Sequence, residues 1–190
     1  MLGIAIKSKD ILLVTEFVHG ESLQGVIEEE KNLTEEFRIN VIVGVLVSCK
    51  QHIAKLCDFG LGKLKQHATL SVASVTIGES VLEGTLLYMA PECFLKKEHV
   101  SQESDIWSLA ITFPEFLAYE DVWNEVLEGK GEDSVMEKLI SIAKAKTLPN
   151  SLNKLSPAHR THIQMCLNCN KIERPTALQL LKLEWQCYIL

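Results

Sequence analysis

The sequence predicts a mainly α-helical fold with a few short strands, an α+β arrangement in a single domain. Strong helix-start signals precede apolar stretches, among them Ser156-Pro157 and Thr176 with Gln179 three residues later. A short apolar run at residues 11–18, stopped by His19-Gly20, predicts a buried strand. The chain has 190 residues, of which 47% are hydrophobic, so it can bury a core of its own.

The overall charge excludes some partners. The net charge of −6 argues against a nucleic-acid surface, and no basic run suggests a membrane surface. The apolar run at residues 1–6 is too short for a signal peptide, and no run is long enough to span a membrane. We therefore expect a cytoplasmic protein whose partners are other proteins.

Six cysteines are spaced irregularly, which favours reduced, buried thiols over a disulfide framework. Cys166 and Cys169 have the spacing of half a zinc site. No second pair follows them, and no histidine lies on their C-terminal side. The sequence therefore does not favour a metal site here.

The first helices are predicted at residues 22–27 and 37–49. Thr34 is a suitable N-cap for the second, with Glu35 and Glu36 in its first turn. Residues 37–49 are apolar on nearly every side, and their valines and isoleucines would also suit a strand. The cap and the length favour a buried helix.

The longest helix is predicted at residues 105–117, capped by Ser104. Pro114 should kink or end it, because a proline inside a helix costs about 3 kcal/mol. An amphipathic helix follows at residues 134–146, and Ser156-Pro157 begins another. Thr176 and Gln179 form a predicted capping box for a last helix that extends to Trp185.

The residues 55–63 carry the strongest chemical signal. A short strand ends at Asp58, and Gly60 and Gly62 loosen the turn that follows. A carboxylate presented in this way is suited to bind a cation such as Mg²⁺. The alternative is an ordinary turn, since Asp and Gly are common turn residues.

Four short motifs occur in a fixed order. They are Asp58-Phe59-Gly60, the stretch from Gly84-Thr85 to Ala90-Pro91-Glu92, Ser104-Asp105-Ile106-Trp107, and Glu173-Arg174-Pro175. Together they resemble the C-terminal lobe of a eukaryotic protein kinase, with the family's D-F-G and A-P-E in the first two. The resemblance extends over nearly the whole chain.

The resemblance implies a kinase-like C-lobe and a set of site residues. Residues 1–20 would be the last N-lobe strand and the hinge, and residues 21–190 the helical lobe. Thr15 would be the gatekeeper, and the backbone of Glu16 to Val18 would bind adenine. Asp58 would hold a metal ion, with Phe59, Gly60 and Thr85 in the activation segment. Glu92 and Arg174 would form a buried ion pair, and Asp105 and Trp107 would serve the scaffold.

The sequence departs from the family between Cys49 and Asp58. Kinases carry the catalytic loop H-R-D-L-x-x-x-N here, with the base and the second metal ligand. Only eight residues separate Cys49 from Asp58, and the chain has no aspartate between Asp10 and Asp58. The Gly-rich loop and the phosphate-binding lysine are not found either. With the loop missing, Asp105 should lose the partner that it has in kinases.

Three hypotheses follow. The first is a catalytically inactive kinase homologue that acts by binding. The second is an active ATP-dependent Ser/Thr-type protein kinase in signal transduction whose sequence is incomplete here, because the gap is abrupt. The third is a helical interaction module that binds no nucleotide. ATP and Mg²⁺ are expected only if the family activity is retained.

Overall fold

The structure is a computed structural model. It describes residues 3–7, 10–14, 16–17, 22–23, 25, 33–34, 38–39, 41, 86–118, 122–123, 126 and 135–183. Helices dominate this part of the chain, as the sequence predicts for a kinase-like C-lobe. The two strands are β1 (Gly3–Lys7) and β2 (Asp10–Val14), and the five helices are α1 (Pro91–Leu95), α2 (Gln102–Ala118), α3 (Val135–Ala145), α4 (Pro157–Cys166) and α5 (Ala177–Leu181). Two 3-10 turns, Asn150–Lys154 and Lys171–Glu173, flank α4.

The two strands form an antiparallel hairpin, with Gly3 opposite Val14 and Lys7 opposite Asp10. β2 is the strand predicted at residues 11–18, but it begins at Asp10 and ends at Val14 because its partner begins at Gly3. Val14 is 44% exposed and Phe17 80% exposed, so this end of the run is not buried as predicted. The sequence analysis did not predict β1.

Helix α2 lies at the centre of the helical lobe. Its buried side chains contact α4 and both 3-10 turns, while α1 packs against α3. Aromatic and branched residues supply most of the buried bulk, which stabilises the lobe by removing apolar surface from water. They are Ile106, Trp107, Ile111, Phe113 and Phe116 of α2 with Leu152, Ile163 and Leu180 from the elements around it.

The start of α2 differs from the prediction. The helix begins at Gln102, and the Ser101 carbonyl accepts hydrogen bonds from the N–H groups of Ser104 and Asp105. The Ser101 N–H in turn donates to Ser104 Oγ at 3.2 Å. Ser104 is therefore not the N-cap residue. It lies in the first turn and satisfies the N–H of Ser101, as the third residue of a capping box does.

Pro114 does not end the helix. α2 continues for four residues beyond it to Ala118. The ring of Pro114 is fully buried, so its packing in the core offsets the hydrogen bond that a proline cannot make.

The Arg38 side chain donates to the Leu117 carbonyl near the end of α2. Residues 38, 39 and 41 are helical, and the rest of the predicted helix 37–49 lies outside the described residues.

The N-terminal caps of helices α4 and α5 are those that the sequence predicts. Ser156 Oγ accepts from the His159 N–H at 3.3 Å, with Pro157 at the first position of α4. Thr176 and Gln179 form the complete capping box of α5. α5 ends at Leu181, while Trp185 lies outside the described residues. No helix in the described part of the chain has the length and apolarity to cross a bilayer.

Candidate functional site

The structure describes five of the predicted site residues. Glu16 is exposed beside the hairpin, and Glu92, Asp105, Trp107 and Arg174 lie in the helical lobe. The remaining predictions fall outside the described residues, and they are Thr15, Val18, Asp58, Phe59, Gly60 and Thr85. The geometry of the site is therefore that of the described part of the helical lobe.

Glu92 and Arg174 contact each other directly, as the resemblance implies. The guanidinium donates two parallel hydrogen bonds, from Nη2 to Oε2 at 2.6 Å and from Nη1 to Oε1 at 2.8 Å. The two residues are only 4% and 5% exposed. Such a two-pronged, charge-assisted pair is both strong and geometrically specific.

Further hydrogen bonds complete the pair. Arg174 also donates to the carbonyls of Glu103 and Asn168, both at 2.8 Å. Ser104 Oγ donates to Glu92 Oε1 at 3.1 Å. Burial alone would raise the pKa of Glu92, but the bonds and charge of Arg174, with help from Ser104, hold that pKa below its usual value. Glu92 is therefore ionised at neutral pH.

Trp107 lies against the ion pair. The Arg174 guanidinium carbon is 5.1 Å from the centre of the indole ring, which is the distance of a cation–π contact. Trp107 is 7% exposed, and its indole N–H has no hydrogen-bond acceptor among the residues that the structure describes. The cluster joins α1, α2 and the Lys171–Glu173 turn, so it has the geometry of a structural junction.

Asp105 differs from the residues of this cluster in its exposure and in its hydrogen bonding. It is exposed, and its carboxylate accepts no hydrogen bond within the part of the chain that is described. Partial desolvation, and then the neighbouring Glu103 carboxylate, raise the pKa of Asp105 above its ordinary value. Among the described residues no hydrogen bond or opposite charge stabilises this carboxylate, although the family role would be to hold the catalytic loop.

Three hydrogen bonds hold residues 87 and 88 in place, two of them with the central helix and one with Trp123, and the sequence analysis missed them. Ser108 Oγ donates to the Tyr88 carbonyl at 2.8 Å, and the Tyr88 hydroxyl donates to Glu115 at 2.8 Å. The Trp123 indole donates to the Leu87 carbonyl at 3.1 Å. The one sequence feature that could have indicated these hydrogen bonds is the position of Tyr88 within the second motif.

The cysteines of the described residues are free thiols. Burial raises the pKa of Cys166 to about 12, so this thiol is protonated at neutral pH. Its sulfur donates to the His162 carbonyl at 3.3 Å. Metal binding needs a thiolate, so the chemistry of Cys166 does not favour a zinc site. No group of three His, Cys, Asp or Glu side chains within the described ranges could hold a metal ion.

The available residues do not fit a complete MgATP site. By the family resemblance Asp58 would supply one metal-ligand position, but residues 50–57 contain neither an aspartate base nor an asparagine ligand. In the structure, the Asp105 carboxylate that would anchor the catalytic loop has no donor in the described part of the lobe. We therefore derive no catalytic step through a bound nucleotide.

The comparisons with known proteins agree on one family. The sequence model of the protein kinase domain matches residues 42–186. Mitogen-activated protein kinase kinase kinase A of Dictyostelium discoideum is 27% identical over 94% of this chain and 16% of its own length. Human mitogen-activated protein kinase kinase kinase 19 is 26% identical over 95% of this chain and 15% of its own length. Mitogen-activated protein kinase kinase kinase 3 of Arabidopsis thaliana is 30% identical over 67% of this chain and 19% of its own length.

The lengths of these matches carry information of their own. The chain spans less than a fifth of each of these relatives. The match to the human protein nevertheless extends over 206 residues, which is more than the 190 of this chain. The relative therefore carries residues inside the matched region that this chain lacks.

Proposed function

The chain belongs to the protein kinase domain family, and from that membership we propose that it is a catalytically inactive member that acts by binding other proteins. The observation that carries this proposal is the interval between Cys49 and Asp58, which is too short for a catalytic loop. Phosphoryl transfer depends on a positioned base and on metal ions, so the missing loop removes two parts of the machinery together.

The environment of Asp105 supports this proposal. An anchoring aspartate that still held a catalytic loop would accept hydrogen bonds from it, and those bonds would lower its pKa. The pKa of Asp105 is instead raised by desolvation and by Glu103. The rest of the lobe keeps its buried ion pair and helix caps. Such a lobe has the stability that a binding surface needs without the groups that chemistry needs.

The second candidate function is an ATP-dependent Ser/Thr-type protein kinase whose sequence is incomplete here. It is supported by the abruptness of the gap and by a human relative, named as a kinase, that carries additional residues within the matched region. In that case Asp58 would hold Mg²⁺ beside the nucleotide, and the missing loop would supply the base. Sequencing the transcript across residues 49–53 separates the two candidates.

Phosphoryl transfer is the direct test of the proposed function. We expect the purified chain to transfer no radiolabelled phosphate from ATP to a general protein substrate or to itself. Losing a base alone can leave residual rate through positioning and electrostatics, but here a metal ligand is missing as well. Asp58→Ala serves as the control. Phosphate incorporation that this substitution abolishes would overturn the proposal.

A further inference from the structure

Tyr88 is held at both of its ends by the central helix. Ser108 Oγ donates to the Tyr88 carbonyl at 2.8 Å, and the Tyr88 hydroxyl donates to Glu115 Oε2 at 2.8 Å. Ser108 and Glu115 are seven residues apart, so they lie on one face of α2, about 10 Å apart along its axis. Because Tyr88 is bonded at its backbone and at the tip of its side chain, it cannot shift along α2 without losing a hydrogen bond.

The Glu115 carboxylate also contacts a second segment of the chain. Its other oxygen, Oε1, accepts from the Val122 N–H at 3.5 Å, which is a long hydrogen bond. Val122 is fully buried, and so is Trp123 next to it. One carboxylate of α2 therefore joins Tyr88 to a buried segment that follows the helix.

The Trp123 indole connects the two segments directly. Its N–H donates to the carbonyl of Leu87, the residue before Tyr88, at 3.1 Å. Residues 87–88 and 122–123 are therefore joined at two points, once by the indole and once through Glu115. We call residues 87–88 and 122–123, together with Glu115, the clasp.

The second segment is in turn fastened to other parts of the lobe. Ser151 Oγ, from the first 3-10 turn, donates to the Val122 carbonyl at 3.0 Å. Lys138 Nζ, from α3, donates to the Val126 carbonyl at 3.2 Å. The clasp thus links the second sequence motif, which contains residues 87–88, to α3 and to the 3-10 turn as well as to α2.

We propose that the clasp is a cooperative conformational device, in which residues 87–88 and residues 122–123 open together and close together. Breaking one hydrogen bond leaves a buried donor or acceptor unsatisfied, which costs more than the bond itself contributes. A half-open clasp is therefore less favourable than one that is fully closed or fully open. A partner protein that displaces residues 122–123 would in this way release the second motif, without touching it.

Amide hydrogen exchange of the ¹⁵N-labelled chain tests the proposal, because it measures local opening. The Met89 N–H, which donates to the Leu86 carbonyl, reports on the first segment. The Val126 N–H, which donates to the Trp123 carbonyl, reports on the second. The Leu180 N–H in α5 is the reference. Each exchange rate is divided by that of the reference, so that a uniform loss of stability cancels.

Two variants each remove one hydrogen bond of the clasp and are assessed at the opposite segment. Tyr88→Phe removes the hydroxyl, and we expect the relative exchange rate of the Val126 N–H to rise. Trp123→Phe removes the indole N–H, and we expect the relative exchange rate of the Met89 N–H to rise. The expected change is about fivefold in both cases, the effect of losing one net hydrogen bond.

Trp107 provides the matched control. It is a buried tryptophan like Trp123, but its indole N–H has no acceptor in the described part of the chain. Trp107→Phe therefore shortens a buried indole to the same extent without removing a hydrogen bond of the clasp. The relative exchange rate of the Met89 N–H should stay unchanged in this variant.

Three results would overturn the proposal. They are unchanged relative rates in both clasp variants, faster exchange only in the segment that carries the substitution, or an equal effect of Trp107→Phe and Trp123→Phe on Met89. If Trp123→Phe does not fold, Tyr88→Phe still provides the measurement across the clasp, because it removes a single oxygen atom. None of these outcomes depends on whether the chain transfers phosphate.

Discussion

Arg174 connects three separate segments of the chain through one side chain. Its guanidinium donates to the Glu92 carboxylate of α1, the Glu103 carbonyl of α2 and the Asn168 carbonyl after α4. Its flat face lies on the Trp107 ring. Because Glu92 and Arg174 are buried, removal of the cation leaves an uncompensated carboxylate and takes one donor away from each of two carbonyls.

We predict that Arg174→Ala lowers the free energy of unfolding by about 3 kcal/mol, because a buried charge without its partner costs 3–5 kcal/mol. The measurement is the denaturant midpoint of Arg174→Ala, Glu92→Ala and the double variant. Coupling predicts that the double variant loses less stability than the sum of the two single variants. A strictly additive double variant would contradict the assignment. Lys171→Ala, at the half-exposed contact with Glu98, serves as a mild control.

Asp105 gives the opposite prediction. Its folded-state pKa lies above the unfolded value, so the folded protein carries a penalty at neutral pH that disappears as the pH falls below about 3.8. Asp105→Asn should therefore cost no stability at pH 7, and its effect relative to wild type should become less favourable as the pH falls through this window. Thermal melts between about pH 3 and pH 7 measure this. A marked destabilisation at pH 7 would contradict the prediction, because it would mean that the carboxylate makes a stabilising interaction.

At the scale of the elements, short hydrogen-bonded caps define where the helices begin. α5 has only five residues, so its capping box satisfies a large share of the backbone N–H groups at its start. α2 begins three residues before the predicted position because the carbonyl of Ser101 accepts the first helical hydrogen bonds and its N–H donates to Ser104, so Ser101 and not Ser104 is the N-cap. Which of two nearby serines caps a helix depends on where the chain enters it.

We predict that Thr176→Ala lowers the free energy of unfolding by about 1 kcal/mol, the usual cost of an N-cap. The comparison is Thr161→Ala in α4, where the hydroxyl bonds to the carbonyl of Pro157 within the helix and contributes little to stability. Denaturant midpoints of both variants provide the measurement. Equal losses in the two variants would mean that the cap does not hold α5 in place.

At the scale of the whole molecule, the helical lobe has its own core and a central helix. α2 receives hydrogen bonds or contacts from residues 86–90, from α4 and from both 3-10 turns. The lobe can therefore be stable without a bound nucleotide. This matters for function, because a domain that needs no ligand to fold can serve as a binding surface.

We predict that millimolar MgATP does not raise the melting temperature of the chain. A ligand that binds only the folded state at a hundredfold excess over its Kd would add about 2.7 kcal/mol of stability. The reason for expecting no shift is the missing base and metal ligand between Cys49 and Asp58. Scanning fluorimetry with MgATP, with Mg²⁺ alone and with Asp58→Ala gives the answer. A clear rise that Asp58→Ala removes would contradict the prediction.

The sequence by itself determined the local features. The caps at Ser156 and Thr176 and the approximate extent of α3 follow from interactions within one or two turns, which the residue types specify directly. The order of the motifs determined the family and indicated the Glu92–Arg174 contact, although 82 positions separate the two residues. Periodicity and propensity alone would not have paired them.

Only the tertiary structure decided the features that depend on packing. The continuation of α2 through Pro114, the exposure of Val14 and Phe17, and the unstabilised charge of Asp105 each depend on which groups lie nearby. Burial and charge stabilisation are properties of neighbouring surfaces, and distant parts of the chain supply those surfaces, so residue types along the sequence do not fix them.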